Sequence, residues 1–472
     1  MTGNSGERDR SLRWILVVLG IAAPLVILVC LALWRMPFPL SEAVAIFEDI
    51  NRNPALAFLS PAGSYYRPFF QITLSALWHG SGSTAGALAA IRLLHLVPIV
   101  CLVVLFVRHV RPRSALDAAA AVVAVTVLIG SPAFLGNLEI PLSYTIIGMP
   151  LLLMAWMLME RDYRRWHGIA IVALVICAVG FKEQGLVLVP LVVVGWYMGA
   201  PGIRRGTAAA VVMVALAYVF LRLHARAGWP PFEQNVGFGF TMLSSDDAAA
   251  RFGAFPLWIY AYSAASTAAN VLFSEPTDGV FRVVRDVTEG RLEAWEVLNV
   301  LTSAGLTALV AWWGVRVVKA AADRGTWSPE SRVAVAVVVA TLACGAFSFD
   351  YSRDRLGGMA LVPYALAAFF AVRAAAEHAA TASTTSWLAT GALLFLLAAG
   401  WQVRATYTLE YTRQRAVNNH REWLAHLWDR REEFHDRATY LRIMEEMVPQ
   451  GTASQTVRPT KFPGWMRGLM GE

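Results

Sequence analysis

Two adjacent carboxylates, Glu48 and Asp49, lie beyond the first long apolar stretch of the sequence. Because neighbouring like charges repel, the pKa of one of them rises in a partly desolvated cleft, and that group can then accept a proton from an attacking hydroxyl. An exposed acidic turn after a helix is the alternative for these two residues. The chain then breaks at two X-Pro pairs and an extended Tyr-Arg-Pro, which predicts a loop that holds the acids in place. These breaks are Asn53-Pro54, Ser60-Pro61 and Tyr66-Arg67-Pro68.

Two further clusters place polar residues beside apolar runs, namely Asn137 with Glu139 and Lys182 with Glu183. Ionisable groups at the edge of the hydrocarbon region are costly and usually mark a pathway or a site. Lys182 is one of three lysines in the chain. At the end of an apolar run its compact charge can meet an anionic headgroup or a phosphate. The alternative is a snorkelling lysine that pairs with Glu183.

A fourth cluster has Arg353 and Arg355 on either side of Asp354. Guanidinium groups can bind a phosphate or a pyrophosphate through parallel hydrogen bonds, and a salt-bridged loop is the alternative. The sequence has no Gly-rich phosphate loop of the kind that binds a soluble nucleotide. The four clusters therefore predict a substrate whose phosphate is anchored in the membrane.

The composition places these clusters in a membrane protein. The chain has 472 residues, of which 57% are hydrophobic and 15% charged, and its mean hydropathy is +0.51. Because a transmembrane helix needs about 20 mainly apolar residues, eleven apolar stretches predict an all-α polytopic membrane protein with a large first outer loop that carries amphipathic helices. The stretches are 14–33, 87–107, 117–135, 143–159, 168–181, 186–199, 207–223, 297–315, 332–349, 359–372 and 386–403.

The basic residues predict the orientation, because arginine and lysine near span ends are retained on the cytoplasmic side. With the N-terminus in the cytoplasm, basic residues gather in the predicted inner turns, and the four polar clusters lie outside. The net charge of +7 then reports topology, and no basic run with interleaved aromatics points to nucleic acid. The predicted outer segments are 34–86, 136–142, 224–296 and the C-terminal helical tail 404–472, which follows a transmembrane domain at 1–403.

Three smaller predictions follow from the same reading. Stretch 14–33 is expected to stay as an anchor helix, because its apolar run is longer than that of a signal peptide. Segment 252–273 is expected to pack on the membrane surface or on other helices, since a span there would place the basic turn 316–332 outside. The cysteines fall within predicted spans and are expected to be core hydrophobes without disulfide or metal roles. They are Cys30, Cys101, Cys177 and Cys344.

The order of these motifs resembles the GT-C superfamily of glycosyltransferases that use lipid-linked sugars, and within it proteins similar to protein O-mannosyltransferases. The resemblance covers about residues 10 to 400. The family motifs on which it rests are, in chain order, an acidic pair, Asn-Pro, Tyr-Arg-Pro-Leu, a His-Pro stretch with a later Glu, Lys-Glu-Gln-Gly and a late Glu-Arg stretch. Here these read Glu48-Asp49, Asn53-Pro54, Tyr66-Arg67-Pro68-Phe69, Ser131-Pro132 with Glu139, Lys182-Glu183-Gln184-Gly185, and Asp354-Arg355-Leu356 with Pro363.

The resemblance implies inverting transfer of a monosaccharide from a polyprenyl-phosphate donor to a hydroxyl acceptor on the outer face of the cell membrane, commonly without a metal or other cofactor. Either Glu48 or Asp49 would be the general base. The donor phosphate would be bound by Lys182, Arg353 and Arg355. Sugar hydroxyls or these cations would be bound or oriented by Tyr66, Arg67, Asn137, Glu139 and Glu183.

The sequence departs from the family pattern at two places. Glu48 stands where the family usually has Asp, and Ser131 replaces its His. The tail also lacks the tetratricopeptide repeats of the longer members, so the acceptor can be a protein, a glycan or a lipid. The alternatives are a polytopic transporter, a catalytically inactive membrane assembly protein on the same scaffold, and a polymerase or ligase of lipid-linked glycans.

Overall fold

The structure is a computed structural model and describes residues 5–37, 50, 53–59, 66–138, 145–225, 235–238, 241–244, 257–273, 283, 286–348 and 354–429. Helices dominate these residues. In chain order they are α1 (Ser5–Arg35), α2 (Pro68–Gly80), α3 (Thr84–Val110), α4 (Ala115–Gly130), α5 (Pro132–Leu135), α6 (Thr145–Met159), α7 (Arg165–Phe181), α8 (Leu188–Tyr197), α9 (Arg205–Ala225), α10 (Leu257–Phe273), α11 (Ala294–Arg324), α12 (Pro329–Ala346), α13 (Leu361–Ala382) and α14 (Thr384–Asp429). Three 3-10 helices cover Ala55–Leu59, Glu183–Val187 and Asp354–Ala360.

Seven of the described helices, α1, α3, α9 and α11 to α14, are long and apolar enough to cross a membrane. Four shorter apolar helices, α4, α6, α7 and α8, lie between them along the chain. The prediction of a mainly helical, multi-pass membrane protein agrees with this arrangement. Each of the eleven apolar stretches read from the sequence centres on one of these eleven helices.

The centre of the bundle is α13, which is buried at every residue from Leu361 to Phe369. It packs against α4, α11, α12 and α14. Small residues allow these close contacts, as where a Cβ on Gly130 of α4 would lie 2.6 Å from the Cβ of Ala405 in α14. The surrounding helices instead expose large apolar side chains, among them Leu16 and Phe395, as expected for surfaces that face lipid.

Proline and serine set several helix starts. Pro68 occupies the first turn of α2 after Arg67, as the predicted extended entry requires. Ser131 and Pro132 end α4 at Gly130 and begin the four-residue α5, because a proline favours an extended residue before it. The predicted span 117–135 is therefore wrong as a single helix, since the backbone changes direction at Ser131.

The predicted outer segment 224–296 contains elements that the sequence reading missed or left open. Strands β1 (Asn235–Phe238) and β2 (Thr241–Ser244) pair antiparallel as a short hairpin, which the sequence reading missed, while the described residues are otherwise mostly helical as predicted. Helix α10 packs on α11, α12 and the 3-10 helix Asp354–Ala360, as predicted for a helix that rests on other helices. The backbone oxygen of Ala264 would lie 2.6 Å from a Cβ on Gly345, so the two helices are in close contact.

Two other predictions need correction or extension. The four cysteines are free, but only Cys344 is buried, and Cys101 is exposed on the outer surface of its helix. Helix α14 runs without interruption across the predicted boundary at 403/404. The amphipathic helix predicted for the tail is thus continuous with the last apolar stretch as far as Asp429, and the rest of the tail lies outside the described residues.

Candidate functional site

An ion pair joins two of the sequence motifs. The guanidinium of Arg67 donates from Nε to Glu183 Oε2 at 2.8 Å and from Nη2 to Glu183 Oε1 at 2.7 Å. Arg67 belongs to Tyr-Arg-Pro and Glu183 to Lys-Glu-Gln-Gly, and 116 positions separate them. Two parallel hydrogen bonds fix both the distance and the relative orientation of the groups. The first predicted outer loop is therefore held against the short turn between α7 and α8.

A third segment completes this cluster. Arg222, near the end of α9, places Nη1 3.2 Å from Glu183 Oε2. One turn earlier in α9, Tyr218 donates its hydroxyl to the backbone oxygen of Tyr66 at 3.0 Å. Arg222 and Tyr218 were missed by the sequence reading. The signal was present, since Arg222 is an arginine at the very end of an apolar stretch, where an ionisable residue is a site candidate.

The cations in this cluster determine the ionisation of Glu183. Burial would raise the pKa of the Glu183 carboxyl, but Arg67, Arg222 and Lys182 oppose it and hold that pKa well below its ordinary value. Glu183 is therefore ionised at neutral pH and is a positioning group for cations, not a proton carrier. Among the described residues, Arg67, Arg222 and Lys182 lie around this one carboxylate, whose side chain is 22% exposed.

Glycines bring the backbone close enough to form the cluster. A Cβ on Gly185 would lie 2.3 Å from the carbonyl carbon of Ala178, so the turn that carries Glu183 folds tightly onto the end of α7. A Cβ on Gly180 would lie 2.4 Å from the ring of Phe69, and that ring meets Phe181 edge-on at 6.3 Å. Helix α2, which follows Arg67, is thus seated directly on α7.

A second junction lies at the turn after α5. The side-chain amide of Asn137 is buried and donates to the backbone oxygens of Ala133 at 2.7 Å and Arg355 at 3.1 Å. A Cβ on Gly358 would lie 3.1 Å from the Asn137 amide nitrogen and 3.0 Å from a methyl carbon of Thr145. Asn137 thus joins the second predicted outer loop to the late Arg-Leu-Gly-Gly stretch and acts as a structural clamp.

The two junctions are connected. Thr145 donates its hydroxyl to the side-chain oxygen of Gln184 at 2.7 Å. Thr145 contacts Gly358 on one side and Gln184, the neighbour of Glu183, on the other. The 3-10 helices Glu183–Val187 and Asp354–Ala360 also pack against each other. Four of the motifs read from the sequence therefore meet at one end of the bundle.

Of the remaining predicted site residues, the structure describes two and does not describe four. Lys182 is half-buried at the start of the Glu183 turn, in extended backbone, and adds to the field on Glu183. Arg355 meets Asn137 through its backbone oxygen. Four predicted residues lie outside the described residues, namely Glu48, Asp49, Glu139 and Arg353.

The opposite end of the bundle carries ion pairs of another kind. Arg332 at the start of α12 forms two hydrogen bonds to Glu160, at 2.8 Å from Nε and 2.5 Å from Nη2. Both side chains are almost fully buried, at 7% and 11% exposure. Near this end Arg204 lies 4.0 Å from the ring centre of Tyr163. Here one cation meets one carboxylate, as in a structural pair.

Among the described residues, no group of three or more His, Cys, Asp or Glu side chains is placed to hold a metal ion. The described groups that meet at the Glu183 end are three cations around one carboxylate, with amide and hydroxyl groups nearby. Comparison of the chain with protein-family models, with curated proteins and with solved structures returns no match in any of the three.

Proposed function

We propose that the chain is an integral membrane glycosyltransferase of the GT-C type. It transfers a monosaccharide from a polyprenyl-phosphate donor to the hydroxyl of a protein or glycan acceptor on the outer side of the cell membrane, with inversion. The main supporting observation is that Arg67, in the Tyr-Arg-Pro motif, forms two hydrogen bonds to Glu183, in the Lys-Glu-Gln-Gly motif. Two motifs that the resemblance assigns to one site, but that lie far apart in sequence, are in contact.

The cations of the cluster support a phosphate-bearing donor. As the bond between the anomeric carbon and the phosphate oxygen breaks, negative charge grows on the leaving phosphate, and fixed cations stabilise it most in that state. Glu183 holds Arg67 and Arg222 in place before the substrate arrives, so little reorganisation is needed. Lys182 adds a compact charge beside them, and we assign it, with Arg353 and Arg355, to the donor phosphate.

The proton step is assigned to Glu48 or Asp49. The carboxylate removes the acceptor proton, the acceptor oxygen bonds to the anomeric carbon, and the phosphate leaves from the opposite face with the bonding electron pair. Glu183 does not fit this role, because its pKa is lowered by the cations around it. Tyr66, Asn137 and Glu139 are assigned to positioning, Tyr66 and Asn137 through their backbone and amide contacts.

Contacts between helix ends support eleven spans. The predicted outer ends of α7, α9 and the Arg67 segment meet at Glu183. The predicted inner ends meet separately, as in the Glu160 and Arg332 pair and in Arg373, whose Nε lies 3.4 Å from Asp117 Oδ1. Alternating ends that gather at two opposite faces are expected if each of the eleven helices crosses the bilayer once. We infer a multi-pass protein of the cell membrane with its N-terminus in the cytoplasm.

A transfer assay with the full chain in membranes tests the proposal. The donors are polyprenyl-phosphate hexoses labelled in the sugar, offered one at a time, and the measurement is label recovered in material that is not lipid-linked. We expect transfer from at least one donor, and its loss in Glu48→Gln or Asp49→Asn. Lys182→Met is expected to reduce the rate at least about a hundredfold through lost charge stabilisation.

Two exposed residues at the opposite end provide matched controls. Lys319→Met and Glu330→Gln make the same chemical changes away from the cluster and are expected to retain full transfer. Absence of transfer from every donor by the wild-type chain would remove the proposal, and so would full transfer by both acidic variants. Equal losses in Lys182→Met and Lys319→Met would remove the assigned role of Lys182.

A further inference from the structure

Exposed arginines gather at the end of the bundle that carries the Glu160 and Arg332 pair. They lie in and beside two short turns, one between α6 and α7 and one between α8 and α9. We call the five of them the arginine patch, which consists of Arg161, Arg164, Arg165, Arg204 and Arg205. All five side chains are exposed, so a partner can reach them without any rearrangement of the fold.

The two turns form a single surface. The backbone nitrogen of Gly202 donates to the backbone oxygen of Met159 at 2.8 Å, and a Cβ on Gly202 would clash with the backbone oxygen of Leu158. The guanidinium carbon of Arg204 lies 4.0 Å from the centre of the Tyr163 ring. Helices α7 and α9, which follow the two turns, also pack on each other. The arginines of both turns are therefore held side by side.

The patch has few carboxylates to neutralise it. Residues 159–166 and 198–206 contain five arginines and two carboxylates, Glu160 and Asp162. Glu160 is already bound by Arg332 through two hydrogen bonds. Within the described part of the chain, no guanidinium group of the patch forms an ion pair with a carboxylate. The patch is an exposed positive surface, and guanidinium groups bind phosphate oxygens through parallel hydrogen bonds.

Apolar side chains continue from the patch along α7. Ile169 follows Arg165 by four positions and is 74% exposed, and Ile176 follows Arg165 by eleven positions and is also exposed. Four residues are about one turn of a helix and eleven are about three turns, so these side chains share one face. An arginine at the top of an apolar stripe matches a molecule with a charged head and a hydrocarbon chain.

Helix α9 repeats this pattern. Arg205 is followed on the same face by Val212, seven positions later, and by Leu216, eleven positions later. Both apolar side chains are exposed. Two neighbouring helices thus present a cation at one end and an apolar surface below it.

Aromatic residues place the patch at the depth of lipid headgroups. Trp166 is exposed in the first turn of α7, and Trp196 and Tyr197 are exposed at the end of α8. Tryptophan and tyrosine gather where transmembrane helices meet the membrane interface. The arginines of the patch lie directly beside these residues in the chain, so lipid phosphates are the anions nearest to them.

We propose that the arginine patch binds the headgroup of an anionic membrane phospholipid, with the acyl chains against the exposed apolar residues of α7 and α9. A zwitterionic headgroup carries its own cation, which the neighbouring arginines repel, so an anionic lipid is preferred. The inference goes beyond the transfer reaction and does not depend on it, because it rests on the patch and on the two helices lying in the bilayer.

Native mass spectrometry of the purified full chain tests the proposal. The probes are phosphatidylglycerol, which is anionic, and phosphatidylcholine, which is zwitterionic, with the same acyl chains. We expect the wild-type chain to retain phosphatidylglycerol at least about tenfold more tightly. The double variant Arg165→Gln with Arg205→Gln is expected to lose most of this preference, since each arginine near an anionic headgroup contributes about fivefold to binding.

Two further double variants separate this effect from a general loss of charge or structure. Arg316→Gln with Arg324→Gln removes two exposed arginines of α11, where Asp323 adjoins Arg324, and is expected to keep the preference. Arg165→Lys with Arg205→Lys keeps the charge and is expected to keep most of it. All variants are expected to unfold at the wild-type temperature in detergent without added lipid.

Three results would overturn the proposal. The first is equal retention of the two lipids, which would leave the patch to an acidic soluble partner. The second is an equal loss of preference in the α11 variant and the patch variant. The third is displacement of the lipid by millimolar inorganic phosphate, which would show that the patch binds phosphate without the acyl chains.

Discussion

The two ends of the helical bundle use buried charge differently. At one end Glu160 and Arg332 form a one-to-one pair with both side chains almost fully buried. At the other end Glu183 is shared by Arg67 and Arg222 with Lys182 beside it, and the paired side chains are 21% to 24% exposed. The first arrangement is complete without a ligand. The second gathers three cations from separate segments of the chain in a place that is partly exposed.

This difference separates a structural ion pair from a candidate binding site more clearly than burial alone. A balanced, buried pair holds two helices together and gains little from any further ion. Three cations close together repel one another in part, and an anion beside them reduces that repulsion. The same residue types can thus serve packing at one end and recognition at the other.

The largest expected effect comes from removing one carboxylate at each end. Glu160→Gln leaves Arg332 buried beside a neutral amide and should lower the unfolding free energy by about 3–5 kcal/mol. Glu183→Gln should cost less, about 1–3 kcal/mol, because the cations there are partly solvated. Thermal and denaturant unfolding in detergent measures both. A larger loss for Glu183→Gln than for Glu160→Gln would break the distinction between the two ends.

An added anion sharpens the same comparison. Inorganic pyrophosphate should stabilise Glu183→Gln, because the substitution removes the carboxylate that Arg67 and Arg222 bind and that Lys182 lies beside. At ten times its dissociation constant the expected gain is about 1.4 kcal/mol. Glu160→Gln should gain no more than the wild-type chain, since Arg332 is buried. Equal stabilisation of both variants would show that the anion acts on the protein in general.

Removing a single tyrosine hydroxyl at each end is expected to change the unfolding free energy by a smaller amount. Tyr218→Phe removes the hydrogen bond to the Tyr66 backbone oxygen and should cost about 0.5–1.5 kcal/mol. Tyr163→Phe at the other end keeps the ring that lies under Arg204 and should change stability by less than about 0.5 kcal/mol. The measurement is again the midpoint of unfolding. If the two substitutions cost the same, the Tyr218 hydrogen bond does not tie α9 to the first outer loop.

The last prediction concerns pH and has the smallest expected amplitude. The pKa of Glu183 is lowered in the folded chain below its ordinary value of 4.5, so its contribution is fully present above that pH and is lost as the pH falls towards the folded pKa. The wild-type chain should therefore lose stability relative to Glu183→Gln as the pH drops below 4.5. Parallel stability curves for the two proteins would contradict the ion-pair assignment.

The positions of the apolar helices were predicted from sequence, because hydropathy determines where they lie. All eleven apolar stretches centre on helices, because about 20 apolar residues satisfy both the backbone and the hydrocarbon region. Some helix ends were predicted and others were not: stretches 143–159 and 168–181 end at the last residues of α6 and α7. Helix α11 continues to Arg324, beyond the predicted end at 315, since hydropathy reports where a chain meets lipid and not where its backbone hydrogen bonding stops.

The candidate site was only partly predicted. The clusters beside apolar runs were visible, because a charge at such a position is costly and draws attention. The partner of Glu183 was not predicted, because a sequence alone carries no distance between positions 116 residues apart. Arg222 lies within the predicted stretch 207–223 and Arg404 directly after 386–403, and neither was assigned to a site.

The length of α14 has a mechanical consequence. Its 46 residues correspond to about 69 Å, and the part after position 403 accounts for about 39 Å of this. A tilt of only about 10° at the seam with α11 would move the far end by about 7 Å if the helix bends as one rod. Small adjustments among packed side chains can thus become large displacements well above the bilayer, where a bulky acceptor would have to approach.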